Sequence, residues 1–124
     1  MLTVYWVTCE DNRWCSLERV DLSSVQTSGV YAIWHGGIAP RYVRIGSGDI
    51  RQRLSEHRRN PEIMAFAAPG LFVTWASVHP NQQPGVEAFL AKACNPILGE
   101  RFPCRIPIPV NLPGAAALSS SLHP

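Results

Sequence analysis

The chain has almost no lysine. Ten of its eleven basic residues are arginine, and Lys92 is the exception. Charge of either sign is also scarce: nine acids leave a net charge of +2, well short of the strongly basic balance typical of nucleic-acid-binding domains. No uninterrupted apolar run approaches the roughly eighteen residues of a transmembrane helix, so no membrane span is expected. The opening stretch, MLTVYWVTCEDNRW, lacks the basic start and cleavage site of a secretory signal, which points to the cytoplasm. Four cysteines (Cys9, Cys15, Cys94, Cys104) form no CxxC pair and have no histidine at zinc-finger spacing. A structural zinc site is therefore not expected, and free thiols in a reducing compartment are. There is no internal repeat. A hydrophobic content of 46% against 16% charged residues excludes a disordered chain, and 124 residues suit one domain with a sizeable core.

What stands in place of lysine is a concentration of arginine. Arg41, Arg44, Arg51, Arg53, Arg58 and Arg59 fall in one short stretch. The planar guanidinium fork suits bidentate contact with phosphate, which an ammonium cannot match. The competing reading is a solvated charged helix face.

Residues 2–8, rich in Val, Tyr and Trp, read as a strand, and residues 14–20 as its return after the turn Glu10-Asp11-Asn12. Residues 21–28 are a polar connection. Residues 29–34 and 41–46 are strands joined by a loop with two glycines and a proline, an expected antiparallel hairpin. Strict alternation puts Tyr42, Arg44 and Gly46 on one face and Arg41, Val43 and Ile45 on the other. Ser47-Gly48-Asp49 offers a cap for a helix starting at Ile50. On that helix Ile50 and Leu54 make a core stripe, Arg53 and His57 lie on the neighbouring flank, and Asn60-Pro61 ends it.

Residues 62–70 admit a short helical turn, and residues 71–78 are a central strand. A second helix runs from Pro84 or Gly85 to Cys94, with Val86, Phe89, Leu90 and Ala93 at helical spacing and Glu87 in its first turn. From residue 103 onward the chain is proline-rich and is expected to be an extended or disordered tail. The expected class is α+β, a small antiparallel sheet flanked by helices. An N-terminal strand or hairpin (1–28) precedes a core (29–102) and the tail (103–124).

This order of elements resembles the GIY-YIG nuclease family over roughly residues 28–102. The resemblance rests on Gly29-Val30-Tyr31, on Val43-Arg44-Ile45-Gly46, on the RxxxH spacing of Arg53 and His57, and on Glu87. It implies a β-β-α-β-α core and a small metal-dependent DNA endonuclease. In that reading Tyr31 activates or positions the water, and His57 orients it or relays its proton. Arg53 clamps the phosphate, and Glu87 holds one Mg²⁺ (or Mn²⁺). A tyrosine of ordinary pKa, about 10, is a poor base unless positive charge lowers it, a service expected of Arg44, Arg53 or the metal.

The chain departs from the family at Arg44, which stands where the second signature tyrosine would be. A guanidinium donates hydrogen bonds but accepts no proton at neutral pH. Tyr42, expected on the same face, is the candidate replacement for the hydroxyl. The family's late asparagine has no counterpart at Leu98-Gly99. Arg41, Arg44, Arg51, Arg58 and Arg59 would contact the nucleic acid, and DNA is the expected partner. Specificity would be weak, or would come from another partner or from a homodimer. His35 and His79 fall in loops and match no family position. Two other readings are a GIY-YIG-like nucleic-acid-binding module without catalysis, and a protein-interaction domain using the aromatic N-terminus and the proline-rich tail.

Overall fold

Strand β2 (Ser28–His35) is apolar on both faces, and the fold is built outward from it. The computed structural model of the protein describes residues 1–99 and 105–113. On one side β2 pairs antiparallel with β3 (Tyr42–Asp49), and on the other with β4 (Leu71–Ser77). A two-residue strand, β1 (Cys15–Ser16), borders β4, so the sheet order is β1-β4-β2-β3. Three helices complete an α+β fold: α1 (Ile50–His57), α2 (Pro61–Met64) and α3 (Gln83–Cys94). Strand β4 is internal to the sheet, as its apolar run led us to expect.

The alternation of β2 divides the core into two layers. Tyr31 and Ile33 pack with Ile50 and Leu54 of α1 and Ile63 of α2. Val30, Ala32 and Trp34 pack with Val86 and Leu90 of α3. Close approach of β2 and β4 depends on Gly29, where a methyl group would lie 1.9 Å from the carbonyl oxygen of Ala76. Helix α1 starts where the capping residue requires: Asp49 Oδ1 accepts the Gln52 amide at 2.9 Å. Asn60-Pro61 does more than close α1. The Asn60 side chain accepts from the amides of Glu62 and Ile63, and Pro61 occupies the first turn, so the pair also starts α2.

Four expectations are corrected. Strict alternation along β3 fails because the register with β2 shifts between Ile33 and Trp34. Trp34 pairs with Tyr42 and Ile33 with Arg44, which leaves Val43 as the extra residue of a bulge. Tyr42 therefore packs in the layer of Ile45 and Trp34, on the opposite face from Arg44. It cannot stand in for a hydroxyl at position 44.

The N-terminal hairpin does not form. Residues 2–8 instead lie along other edges: Val7 N donates to the Trp75 carbonyl at 2.9 Å, and Leu2 bridges Val110 in parallel. The proline-rich segment is extended but packed over residues 105–113. Val110 is buried, the Asn111 side chain exchanges hydrogen bonds with the backbone of Val4, and Ile108 fills the space above Gly85. The rest of the expected tail lies outside the described residues, as does Cys104. Finally, Cys9 and Cys15 are joined in a disulfide. The turn at Glu10–Asn12, with Asp11 and Asn12 at positive φ, brings their Cα atoms to 5.1 Å. Cys94 is a free thiol, half-buried, whose pKa burial pushes up to about 11.

Among the described residues no helix is long and apolar enough to cross a membrane. The tight β2–β4 approach makes a direct test. Gly29→Ala must push the strands apart, and a loss of about 1–3 kcal/mol is expected from the urea unfolding midpoint.

Candidate active site

Strand β3 ends the sheet order, and the segment after α3 lies along the outer side of its start. There the Ile97 and Leu98 amides donate to the carbonyls of Tyr42 and Val43 at 3.0 and 2.9 Å. Further along, the strand reads Gly46-Ser47-Gly48, with almost no side-chain bulk. Groups from both faces of the sheet come together around this thin stretch.

From one face comes Tyr31, cross-strand partner of Gly46. A methyl group at Gly46 would lie 2.1 Å from the Tyr31 hydroxyl oxygen, so the phenol crosses β3 in the space left by the missing side chain. Tyr31 is 2% exposed, and its hydroxyl meets His57 Nε2 at 2.5 Å. His57, the last residue of α1 and itself buried, is placed there by the helix that Asp49 starts.

Burial dominates the electrostatics of this pair. It pushes the Tyr31 pKa up to about 12, with Arg44 and Arg53 opposing and the Glu87 carboxylate adding to the rise. It drives His57 down to about 4, helped by the positive charges of Arg44 and Arg53 and opposed by Glu56. The nearby guanidinium groups thus do not bring Tyr31 below its ordinary value, as the sequence had suggested. Both groups are neutral at pH 7. Tyr31 O–H therefore donates, His57 Nε2 accepts, and the imidazole proton sits on Nδ1.

From the other face comes Glu87, near the start of α3. Ser47 Oγ donates to Glu87 Oε1 at 2.5 Å. Ser47 pairs with Val30, whose face α3 covers, so the serine points toward the carboxylate. Glu87 and Tyr31 reach each other electrostatically across the edge of the strand. Two arginines accompany them. Arg53 lies across Gly48, its Nε 3.1 Å from where a methyl group would be, and pairs loosely with Glu56 at 3.8 Å. That exposed pair is worth little and leaves the guanidinium available. Arg44 borders a cleft of about 350 Å³ shared with Asn60, Ile63 and Leu98, and its buried Nε has no hydrogen-bond partner among the described residues.

Of the residues singled out from sequence, Tyr31 thus has His57 within hydrogen-bonding reach and Arg44, Arg53 and Glu87 within electrostatic reach, and His57 feels the same two arginines. The remaining arginines do not form one patch with them. Arg58 is spent on structure: Nε donates to the Leu17 carbonyl at 2.6 Å and Nη2 to that of Val20. Arg41 reaches the Asn95 carbonyl and Arg51 that of Ser23, each at 3.3 Å, while Arg59 is exposed. His35 stacks on Phe66, and His79 bonds Asn81.

Two residues escaped the sequence reading. Ser47 looked like part of a helix cap, although its place in the stripe of Ile45, facing the second helix, was the available signal. Asn60 looked only like a helix stop.

Among the described residues no group of three or more His, Cys, Asp and Glu side chains could form a closed metal cage. The donor chemistry at Glu87 fits a different arrangement. Mg²⁺ keeps several waters and is commonly held by one or two carboxylates together with substrate phosphate, and Ser47 already orients one oxygen of this carboxylate. Compared with family models, curated proteins and solved structures, the chain matches none.

The protonation assignment has a measurable consequence. The folded pKa of His57 lies below its unfolded value, so the stability it contributes is complete above about pH 6.5 and is lost as pH falls toward 4. We expect a loss on the order of 2 kcal/mol across that window. Urea titrations at several pH values should show it in the wild type and show it diminished in His57→Gln.

Proposed function

We propose that the protein is a small metal-dependent DNA endonuclease of GIY-YIG type that hydrolyses phosphodiester bonds at the glycine-rich edge of β3. The observation that carries this reading is the 2.5 Å Tyr31–His57 hydrogen bond, held beside two arginines and within reach of Glu87. Phosphodiester hydrolysis needs a base near the attacking water, positive charge on the phosphoryl oxygens and help for the leaving 3′ oxygen. Glu87 would hold a Mg²⁺ or Mn²⁺ ion, which supplies charge neutralisation to the phosphate and the leaving group.

The chain's own residues do the rest. Arg53, anchored on the edge by Gly48, and Arg44, facing from β3, bind the non-bridging oxygens. As water attacks phosphorus it gives a proton to the Tyr31 oxygen, and Tyr31 passes its own proton to His57 Nε2. Neither tyrosinate nor hydroxide need form as a free species. The pKa gap between a phenol near 12 and an imidazole near 4 opposes this transfer in the unliganded protein. Substrate narrows the gap, because phosphate charge offsets the guanidinium charges that hold His57 down. Arg44 thus assists binding where the family's tyrosine would assist the water.

A second reading, a nucleic-acid-binding module of the same fold without cleavage, is favoured by that same pKa gap together with Arg44 in the tyrosine's place. The experiment that separates them is nicking of supercoiled plasmid. With Mg²⁺ the wild type should nick. EDTA should abolish cleavage, Glu87→Gln and Tyr31→Phe should each slow it by about 10²-fold or more, and Ser47→Ala should slow it less. Salt-sensitive DNA retention without nicking, in folded wild type, would establish the binding module instead.

A further inference from the structure

One buried polar side chain has no part in the chemistry above: Gln83, the first residue of α3 and only 7% exposed. Its amide nitrogen donates to the Val78 carbonyl at 2.9 Å and to Ser28 Oγ at 2.8 Å. Ser28 Oγ in turn donates to the Gly48 carbonyl at 3.2 Å. Carbonyl oxygens only accept, so the serine proton goes to Gly48 and both amide protons of Gln83 are used.

This relay ends at the proposed site. Gly48, at φ +124°, is the residue against which Arg53 lies. Glu87 stands four residues after Gln83, one turn further along the same face of α3, and accepts from Ser47, the neighbour of Gly48. Helix α3 thus meets two consecutive residues of β3 through two side chains of one face. Glu87 meets Ser47 directly, and Gln83 meets Gly48 through Ser28. Packing of Val86 and Leu90 holds the helix on the sheet but is non-directional, so the hydrogen bonds set its rotation.

Glutamine suits this place for a chemical reason. One nitrogen serves a carbonyl and a hydroxyl at once. An ionised glutamate would offer only acceptors, leucine would offer nothing, and asparagine is a methylene shorter.

We infer that Gln83 is a positioning residue for the cation site. By fixing the rotation of α3 against Ser47 and Gly48, it holds the Glu87 carboxylate where Ser47 and a metal ion can share it. The inference rests on the cation-binding part of the proposed function and names the support behind it. Where a protein gives a Mg²⁺ ion few ligands, the direction of each carboxylate governs affinity.

Mn²⁺ binding to the protein without DNA, read from the electron paramagnetic resonance signal of the free ion, tests this apart from cleavage. The wild type should bind the ion, and Glu87→Gln should not. Gln83→Leu keeps the bulk of the side chain and removes both donors. In the folded variant Mn²⁺ binding should weaken about 10-fold, the low end of what losing a support behind a metal ligand costs. Ser28→Ala, a change at an exposed residue that leaves the Val78 bond intact, should give a smaller loss in the same direction. A Gln83 that serves folding alone would lower the urea midpoint and leave Mn²⁺ affinity at the wild-type value in both folded variants, and that result would overturn the inference. No binding by the wild type, or undiminished binding in Glu87→Gln, would overturn it together with the metal site. Binding through Glu87 that weakens in Gln83→Leu, without plasmid nicking, would defeat the nuclease reading and leave the inference standing.

Discussion

The site depends on one steric fact: a phenol ring occupies the space where the side chain of residue 46 would be. Because Gly46 has none, Tyr31 can cross the edge strand and reach a histidine at 2.5 Å. Every other part of the site is arranged about that crossing. The cap at Asp49 sets the start of α1 and so the height of His57. The small residues on either side let Arg53 lie against Gly48 and let Ser47 hold Glu87 from the far face. An edge strand with ordinary side chains would separate these groups.

Burial makes the pair chemically distinctive as well as well placed. A phenol and an imidazole in hydrogen-bond contact are common enough, but here the first resists ionisation and the second resists protonation. Both are held neutral by the same low-dielectric surroundings, and the arginines push them in opposite senses relative to that effect. They favour the phenolate while disfavouring the imidazolium. In the proposed reaction, an anionic substrate between the arginines would relax the second of these constraints and so couple binding to proton transfer.

Much of the fold was legible in the chain. The Asp49 cap, the Ile50–Leu54 stripe and the helical spacing of Val86 and Leu90 are local signals, and the structure has those elements where they were read. What was lost depended on pairing partners distant in sequence. The extra residue Val43 in β3 puts Tyr42 on the opposite face from Arg44, and periodicity carries no warning of it. The aromatic N-terminus has the composition of a strand because it covers sheet edges and the second core layer, which asks for the same residues. The Cys9–Cys15 link depends on a turn with two non-glycine residues at positive φ, and spacing alone does not reveal it. Of the candidate site, the five chemical residues were visible as types in order, whereas Ser47 became visible only once the register was known. Arg58 had every appearance of a phosphate contact until its carbonyl partners were seen.

The central claim is that His57, acting through Tyr31, is the base. It is tested most directly by the single-turnover cleavage rate of a DNA substrate between pH 5 and 9. With His57 already neutral and Tyr31 remaining protonated, the account predicts a rate that levels off by about pH 6 and stays flat to pH 9. A rate that climbs about tenfold per pH unit throughout would show that tyrosinate itself must form, and would contradict it.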